Sequence, residues 1–301
     1  MHDIDLTGVF PAMVTPFTAA ERIDFDRLRA DAERLEAAGV DGLVPCGTTG
    51  ESATLTHDEH VRVIEAVADA VDVPVIAGAG SNNTREALEL SERAADAGAD
   101  ALLSISPYYN RPEQDGLLEH YRTLADAVDL PQVLYDVPSR TGGEIAVDTA
   151  AELAAHENVV GFKAASGDLN AIGELIERTR DRDFSILSGD DYLTLPICAL
   201  GGTGAVSVAA NVEPERVGAL VDAAAAGDLA SARRRHEELG PLVRALFAET
   251  NPIPVKEAVG IRAGRTPTLR PPLTRLSAGH RDDLAAVLDE LDDRPVPEVN
   301  A

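Results

Sequence analysis

Apolar and polar positions repeat along this chain in one order: a short apolar run, a few small or polar residues, then a stretch with helical spacing. The apolar runs fall at 9–14, 42–46, 73–77, 101–106, 132–137, 159–164, 184–188 and 204–208. Runs of this length bounded by small residues read as buried strands. The helical stretch 25–38 is stopped by Gly39. Thr56 with Glu59, and Asn83 with Glu86, have the spacing of a capping box at helix starts. Strands separated by crossover helices must pair in parallel, and eight such units within 1–225 predict an α/β fold of the (β/α)8 TIM barrel type. No Gly-x-Gly-x-x-Gly follows the first run, which counts against a dinucleotide-binding sheet. After Gly227 the strand pattern stops, and 229–247, 254–259 and 281–291 read as helices. The expected organisation is a catalytic barrel over 1–225 and a C-terminal helical domain over 226–301.

Composition narrows the setting. The chain has 52 acidic and 26 basic residues, a net charge of −26, yet 45% hydrophobic residues exclude a disordered acidic chain. Such acidity, with Arg in place of Lys, is expected of a halophilic cytoplasmic protein. In molar salt the Debye length falls to about 3 Å and self-repulsion is largely screened. The sign disfavours nucleic acid and anionic membranes. No apolar stretch is long enough for a membrane span, residues 1–6 do not resemble a secretory leader, and Cys46 and Cys198 lack metal or redox spacing.

Chemistry concentrates at the carboxyl ends of the predicted strands, where barrels of this type carry their active sites. Only two of the 26 basic side chains are lysines, Lys163 and Lys256. Unlike Arg, a Lys amine can lose its proton in apolar surroundings and attack a carbonyl. Lys163 ends the run Val159-Val160-Gly161-Phe162-Lys163 and reads either as such a nucleophile or as an ion-paired strand-end lysine. Lys256, between prolines and a helical stretch, reads as a structural ion pair. Other strand ends carry Gly47-Thr48-Thr49-Gly50-Glu51, Tyr108-Tyr109, Tyr135 with Arg140, and Ser188-Gly189-Asp190-Asp191. An amine, phenols, hydroxyls and a guanidinium suit condensation with an anionic keto acid, and no His-rich metal set accompanies them.

These segments resemble the dihydrodipicolinate synthase / N-acetylneuraminate lyase family of Schiff-base aldolases. The resemblance runs from about Gly8 to Leu273 and is carried by 47–52, 135–142, 161–163 and 251–256. It implies a class I lyase that condenses pyruvate with aspartate-4-semialdehyde in lysine and diaminopimelate biosynthesis, using no cofactor beyond an imine at Lys163. It further implies a proton relay of Tyr135, Thr48 and Tyr109, with Tyr109 supplied by a neighbouring subunit of a homotetramer. Thr49 would hold the pyruvate carboxylate, Arg140 that of the semialdehyde, and Gly189 and Val206 would line the site through backbone groups. Ala164 and Asp136 depart from the family pattern, which usually has Glu and Asn there. A 2-keto-3-deoxy sugar-acid aldolase and an inactive ligand-binding barrel are the competing readings. Arg140 argues against the first, and the intact Lys163, Tyr135 and Thr48 against the second.

His57-Asp58-Glu59-His60 places two histidines three apart on a helix start. The pair reads as a metal site, as a solvated first turn or, from the resemblance, as part of a pocket for the inhibitor lysine. That pocket would comprise Ala53, His57, His60, Asn82, Glu86 and Tyr108.

Overall fold

The structure, a computed structural model, describes residues 4–295, so Met1–Asp3 and the end of the expected 226–301 domain lie outside the described residues. Seven strands form one parallel sheet: β1 Gly8–Pro11, β2 Ile76–Gly78, β3 Ala101–Ile105, β4 Gln132–Asp136, β5 Val159–Ala164, β6 Ser185–Ser188 and β7 Gly204–Ser207. They lie in the order β1-β7-β6-β5-β4-β3-β2. Residues 43–44 close the ring through parallel bridges Ala12↔Val44 and Leu43↔Val75. The expected strand at 42–46 is therefore present as bridges. Pro45 and Pro74 have no N–H to give, so the ladder there is broken although Leu43 N–H donates to the Pro74 carbonyl (2.8 Å) and Val44 N–H to that of Pro11 (3.0 Å). The result is the expected α/β TIM barrel.

Period-two alternation divides the buried residues. Phe10, Val44, Ile76, Leu103, Val133, Tyr135, Leu187 and Val206 fill the lumen as one cluster. On the other face of the strands, Leu134, Phe162, Ala164 and Ile186 pack outward under the helices. Gly39 ends the helix Phe25–Ala37 with φ of 80°, a left-handed conformation suited to glycine. The Thr56–Glu59 capping box forms, with Glu59 N–H donating to the Thr56 hydroxyl and Thr56 N–H to the Glu59 carboxylate. The second expected box does not. Asn83 caps Arg85 N–H, while Glu86 turns away to His57 and Ser81.

The C-terminal helices Leu229–Leu246, Ile253–Arg262 and Ala278–Asp292 have no separate core. Leu239, Leu242, Val243, Leu246, Val255 and Leu284 belong to the same apolar cluster as Val9 and Ala205 of the sheet. The nearly buried Arg216 fixes the junction, pairing with Glu213 and donating to the Leu291 and Arg294 carbonyls at 2.8 Å. These helices are thereby held rigidly over one side of the barrel mouth.

Candidate active site

Lys163 faces the lumen at the carboxyl end of β5, in register with Tyr135 on β4 and Leu187 on β6. Its amine lies 4.0 Å from the centroid of the Tyr135 ring, and the residue is buried. Burial pushes its pKa down to about 7, against the pull of Asp191 upward and with a smaller push downward from Arg140. Asp191 is itself buried and fully engaged. Its carboxylate accepts from Val208 N–H (3.0 Å), Ala209 N–H (3.1 Å) and the Ser207 hydroxyl. Lys163 consequently forms no ion pair among the described residues. The arrangement supplies a buried amine that is partly neutral near pH 7. Gly189 follows β6 where a Cβ would come 2.9 Å from Cε of Lys163, so glycine leaves the lysine its space.

A cavity of about 430 Å³ opens above this amine, lined by Thr48, Thr49, Tyr135, Arg140, Lys163 and Gly189 among others. The Tyr135 and Thr48 side chains share this wall. Burial raises the Tyr135 pKa, and Arg140 and Thr48 draw it back. Arg140 stands on the short helix Pro138–Thr141 and donates to the Asn251 carbonyl at 3.0 Å. Asn251 Nδ2 in turn donates to the Thr49 hydroxyl at 2.9 Å. Thr49, Asn251 and Arg140 thus form one polar seam across the mouth.

The turn that carries the threonines is held from below. Cys46 and Glu51, at φ 58° and 55°, sit on either side of it in the left-handed region. The buried Glu51 carboxylate takes the Lys256 amine and the Arg270 N–H (3.0 Å). Lys256 is structural, as its sequence context suggested.

The side chains of two of the named residues do not line this cavity. Val206 is buried in the lumen cluster beneath the cavity, and Val208 lines the wall instead. Tyr109 is 91% exposed, has φ of 72°, and does not reach its own cavity. Its N–H donates to Thr141 on the Arg140 helix at 3.4 Å. Sequence reasoning passed over Asp191, Asn251 and Arg244 as site residues. The first two stood inside quoted motifs, whereas Arg244 carried no local signal.

Near the second cluster, His57 Nε2 meets Glu86 Oε1 at 3.0 Å, and Ser81 donates to the other Glu86 oxygen. Asn82 offers its carbonyl to Asn110 Nδ2 at 3.1 Å, Tyr108 is 40% exposed and Ala53 is exposed. His60 turns inward instead, its Nε2 2.6 Å from the Gly78 carbonyl, and burial lowers its pKa. The two histidines do not converge. Among the described residues no group of three or more His, Cys, Asp or Glu could hold a metal ion.

A sequence model of the dihydrodipicolinate synthetase family matches residues 5–291. The chain belongs to this family. A 4-hydroxy-tetrahydrodipicolinate synthase of Haloarcula marismortui is 66% identical over 97% of this chain and 96% of its own length. The dihydrodipicolinate synthase of Aquifex aeolicus superposes with a TM-score of 0.93 at 43% identity, over 98% of this chain and 100% of that one. A crystal structure of DHDPS from Cyanidioschyzon merolae with lysine bound gives 0.92 at 38% identity, over 95% of this chain and 98% of that one. Against the family pattern, Ala164 packs outward under the helices and adds nothing to the cavity. Asp136 is buried, accepts from Ile145 N–H at 2.9 Å, and burial raises its pKa to about 6. Both departures lie behind the cavity wall.

Proposed function

We propose that this family member condenses pyruvate with aspartate-4-semialdehyde to 4-hydroxy-tetrahydrodipicolinate, committing carbon to lysine and diaminopimelate, with Lys163 as the nucleophile. The observation that carries this is an unpaired buried amine with pKa about 7, against the Tyr135 ring, under a cavity edged by hydroxyls and Arg140. The neutral amine adds to the ketone and loses water as the imine forms. Loss of a methyl proton gives an enamine whose carbon joins the aldehyde carbon. The amino group brought by the semialdehyde then displaces Lys163 and closes the ring. Tyr135 and Thr48 pass the protons, with Tyr109 of a neighbouring copy completing the relay. Thr49 holds the inner carboxylate, and Gly189 and Val206 shape the floor. The imine is the only prosthetic chemistry required. Turnover of pyruvate with aspartate semialdehyde should far exceed cleavage of 2-keto-3-deoxygluconate, and the reverse order would identify a sugar-acid aldolase. Arg140→Ala should lower use of the semialdehyde by about 10- to 100-fold and leave the pyruvate imine intact. Equal loss of the imine would make Arg140 an organiser of the whole site.

The same reading makes the protein a homotetramer, active in a salt-rich cytoplasm. Tyr109 supports a neighbouring subunit, being a strained and exposed aromatic whose side chain lies outside its own cavity. With a charge of −26, assembly and activity should rise toward molar KCl, and full activity of an intact oligomer in dilute buffer would refute it. Free lysine is proposed as an inhibitor at Ala53, His57, Asn82, Glu86 and Tyr108, its ammonium replacing His57 on the Glu86 carboxylate. The relative with lysine bound supports this. His60, facing inward, would support the helix rather than touch the ligand. Glu86→Ala should abolish inhibition and preserve uninhibited turnover.

A further inference from the structure

The cavity wall is cationic in a chain with twice as many acids as bases. Its charged groups are Lys163, Arg140 and Arg244 against the single carboxylate of Asp190. Elsewhere several arginines meet acids: Arg216 pairs with Glu213 and Glu238, Arg262 with Asp292, and Arg270 with Glu59. Arg244 does not. Its guanidinium has no hydrogen-bond or ion-pair partner among the described residues.

The local geometry sets where that group lies. Arg244 lies in the last turn of the helix Leu229–Leu246, with Val243 and Phe247 beside it on the cavity wall. Leu242, Val243 and Leu246 bury the helix in the core shared with the barrel, so the arginine is mounted on a rigid element. One turn earlier stands Gly240, where a Cβ would come 3.2 Å from Arg244 Nη1. The guanidinium therefore lies back along the helix in space that glycine leaves open. The mouth of the barrel is bridged to the same helix by Tyr192, edge-on to His236 at 5.4 Å.

We infer that Arg244 is a specificity-determining residue that, with Arg140, holds the outer carboxylate of the aldehyde substrate. This rests on the pyruvate–semialdehyde reading above. Once the carbon–carbon bond has formed, the adduct on Lys163 bears two carboxylates. The inner one meets Thr49 and the outer one must lie toward the mouth, where the barrel supplies one guanidinium and the C-terminal helix the other. Two guanidiniums on one carboxylate favour an anionic aldehyde over a neutral polyhydroxy aldehyde of similar length, because only the former offers the charge-assisted hydrogen bonds. A C-terminal helix thus sets which aldehyde a barrel-borne lysine accepts.

The test compares Arg244→Gln and Arg244→Lys with the unaltered protein, using aspartate semialdehyde and, as neutral competitor, glyceraldehyde. The residue is exposed, so both variants should keep the parent unfolding midpoint. Arg244→Gln should raise KM for the semialdehyde at least about tenfold, the scale of one charge-assisted contact, and Arg244→Lys should recover part of it. KM for pyruvate and the yield of cyanoborohydride-trapped imine should not move, and preference for the semialdehyde over glyceraldehyde should fall by a similar factor. An unchanged KM for the semialdehyde, or a parallel loss with both aldehydes, would overturn the assignment. Failure of the unaltered protein to use the semialdehyde at all would strike the functional reading instead.

Discussion

The two lysines of this chain are both buried, both lie against an aromatic ring, and both have pKa values lowered chiefly by burial, Lys163 to about 7 and Lys256 to about 8. Lys163 stands 4.0 Å from the Tyr135 centroid and Lys256 4.2 Å from that of Phe17. What separates them is the nearest carboxylate. Glu51 is in direct contact with Lys256, whereas Asp191 near Lys163 is already taken by Ser207, Val208 and Ala209. Lys163 also borders the cavity of about 430 Å³, while the space beside Lys256 is about 20 Å³, no more than one water. Burial alone lowers the pKa of an amine. Burial without a partner, beside an open cavity, makes a nucleophile of it.

The strongest way to break this contrast is to remove each lysine's proton chemistry while keeping its charge. Lys163→Arg should reduce turnover by on the order of 10⁴-fold or more, since a guanidinium cannot form the imine. Lys256→Arg should retain the pyruvate adduct.

Next in size is the opposite change. Lys256→Met leaves Glu51 buried without its ion-pair partner, and should lower unfolding free energy by about 3–5 kcal/mol in denaturant titration. Lys163→Met breaks no ion pair and should cost far less stability. Comparable losses in the two would erase the distinction between structural and chemical lysine.

How far the sequence foretold this contrast depends on the range of each interaction. The strand runs were readable because strands covered on both faces are nearly continuously apolar. The 42–46 strand was blurred by Pro45, whose missing N–H interrupts the ladder. Lys163 was conspicuous because its strand end placed it, and Lys256 because prolines bracketed it. Asn251 meets Arg140 across 111 residues of chain, with Arg244 on the same cavity wall, and no local periodicity records such a meeting. The inward turn of His60 was hidden for a related reason. Its spacing from His57 says that the two are near on the helix, not which of them faces the barrel.

The smallest of these effects is in pH. Only the neutral amine attacks, so the rate of cyanoborohydride trapping should rise as pH increases through the folded pKa of Lys163. With that pKa at about 7, the neutral fraction grows about tenfold from about pH 6 to about pH 8 and then levels. A rate still climbing tenfold per unit at higher pH would indicate an ordinary lysine with pKa near about 10.4.

The two lysines part most sharply in which amine carries the substrate. Incubating the unaltered protein with pyruvate and borohydride, then mapping the modified peptide by mass spectrometry, reads this directly. One reduced pyruvate per chain on Lys163, and none on Lys256, is the predicted result. An adduct on Lys256, or no adduct under conditions that support turnover, would contradict it.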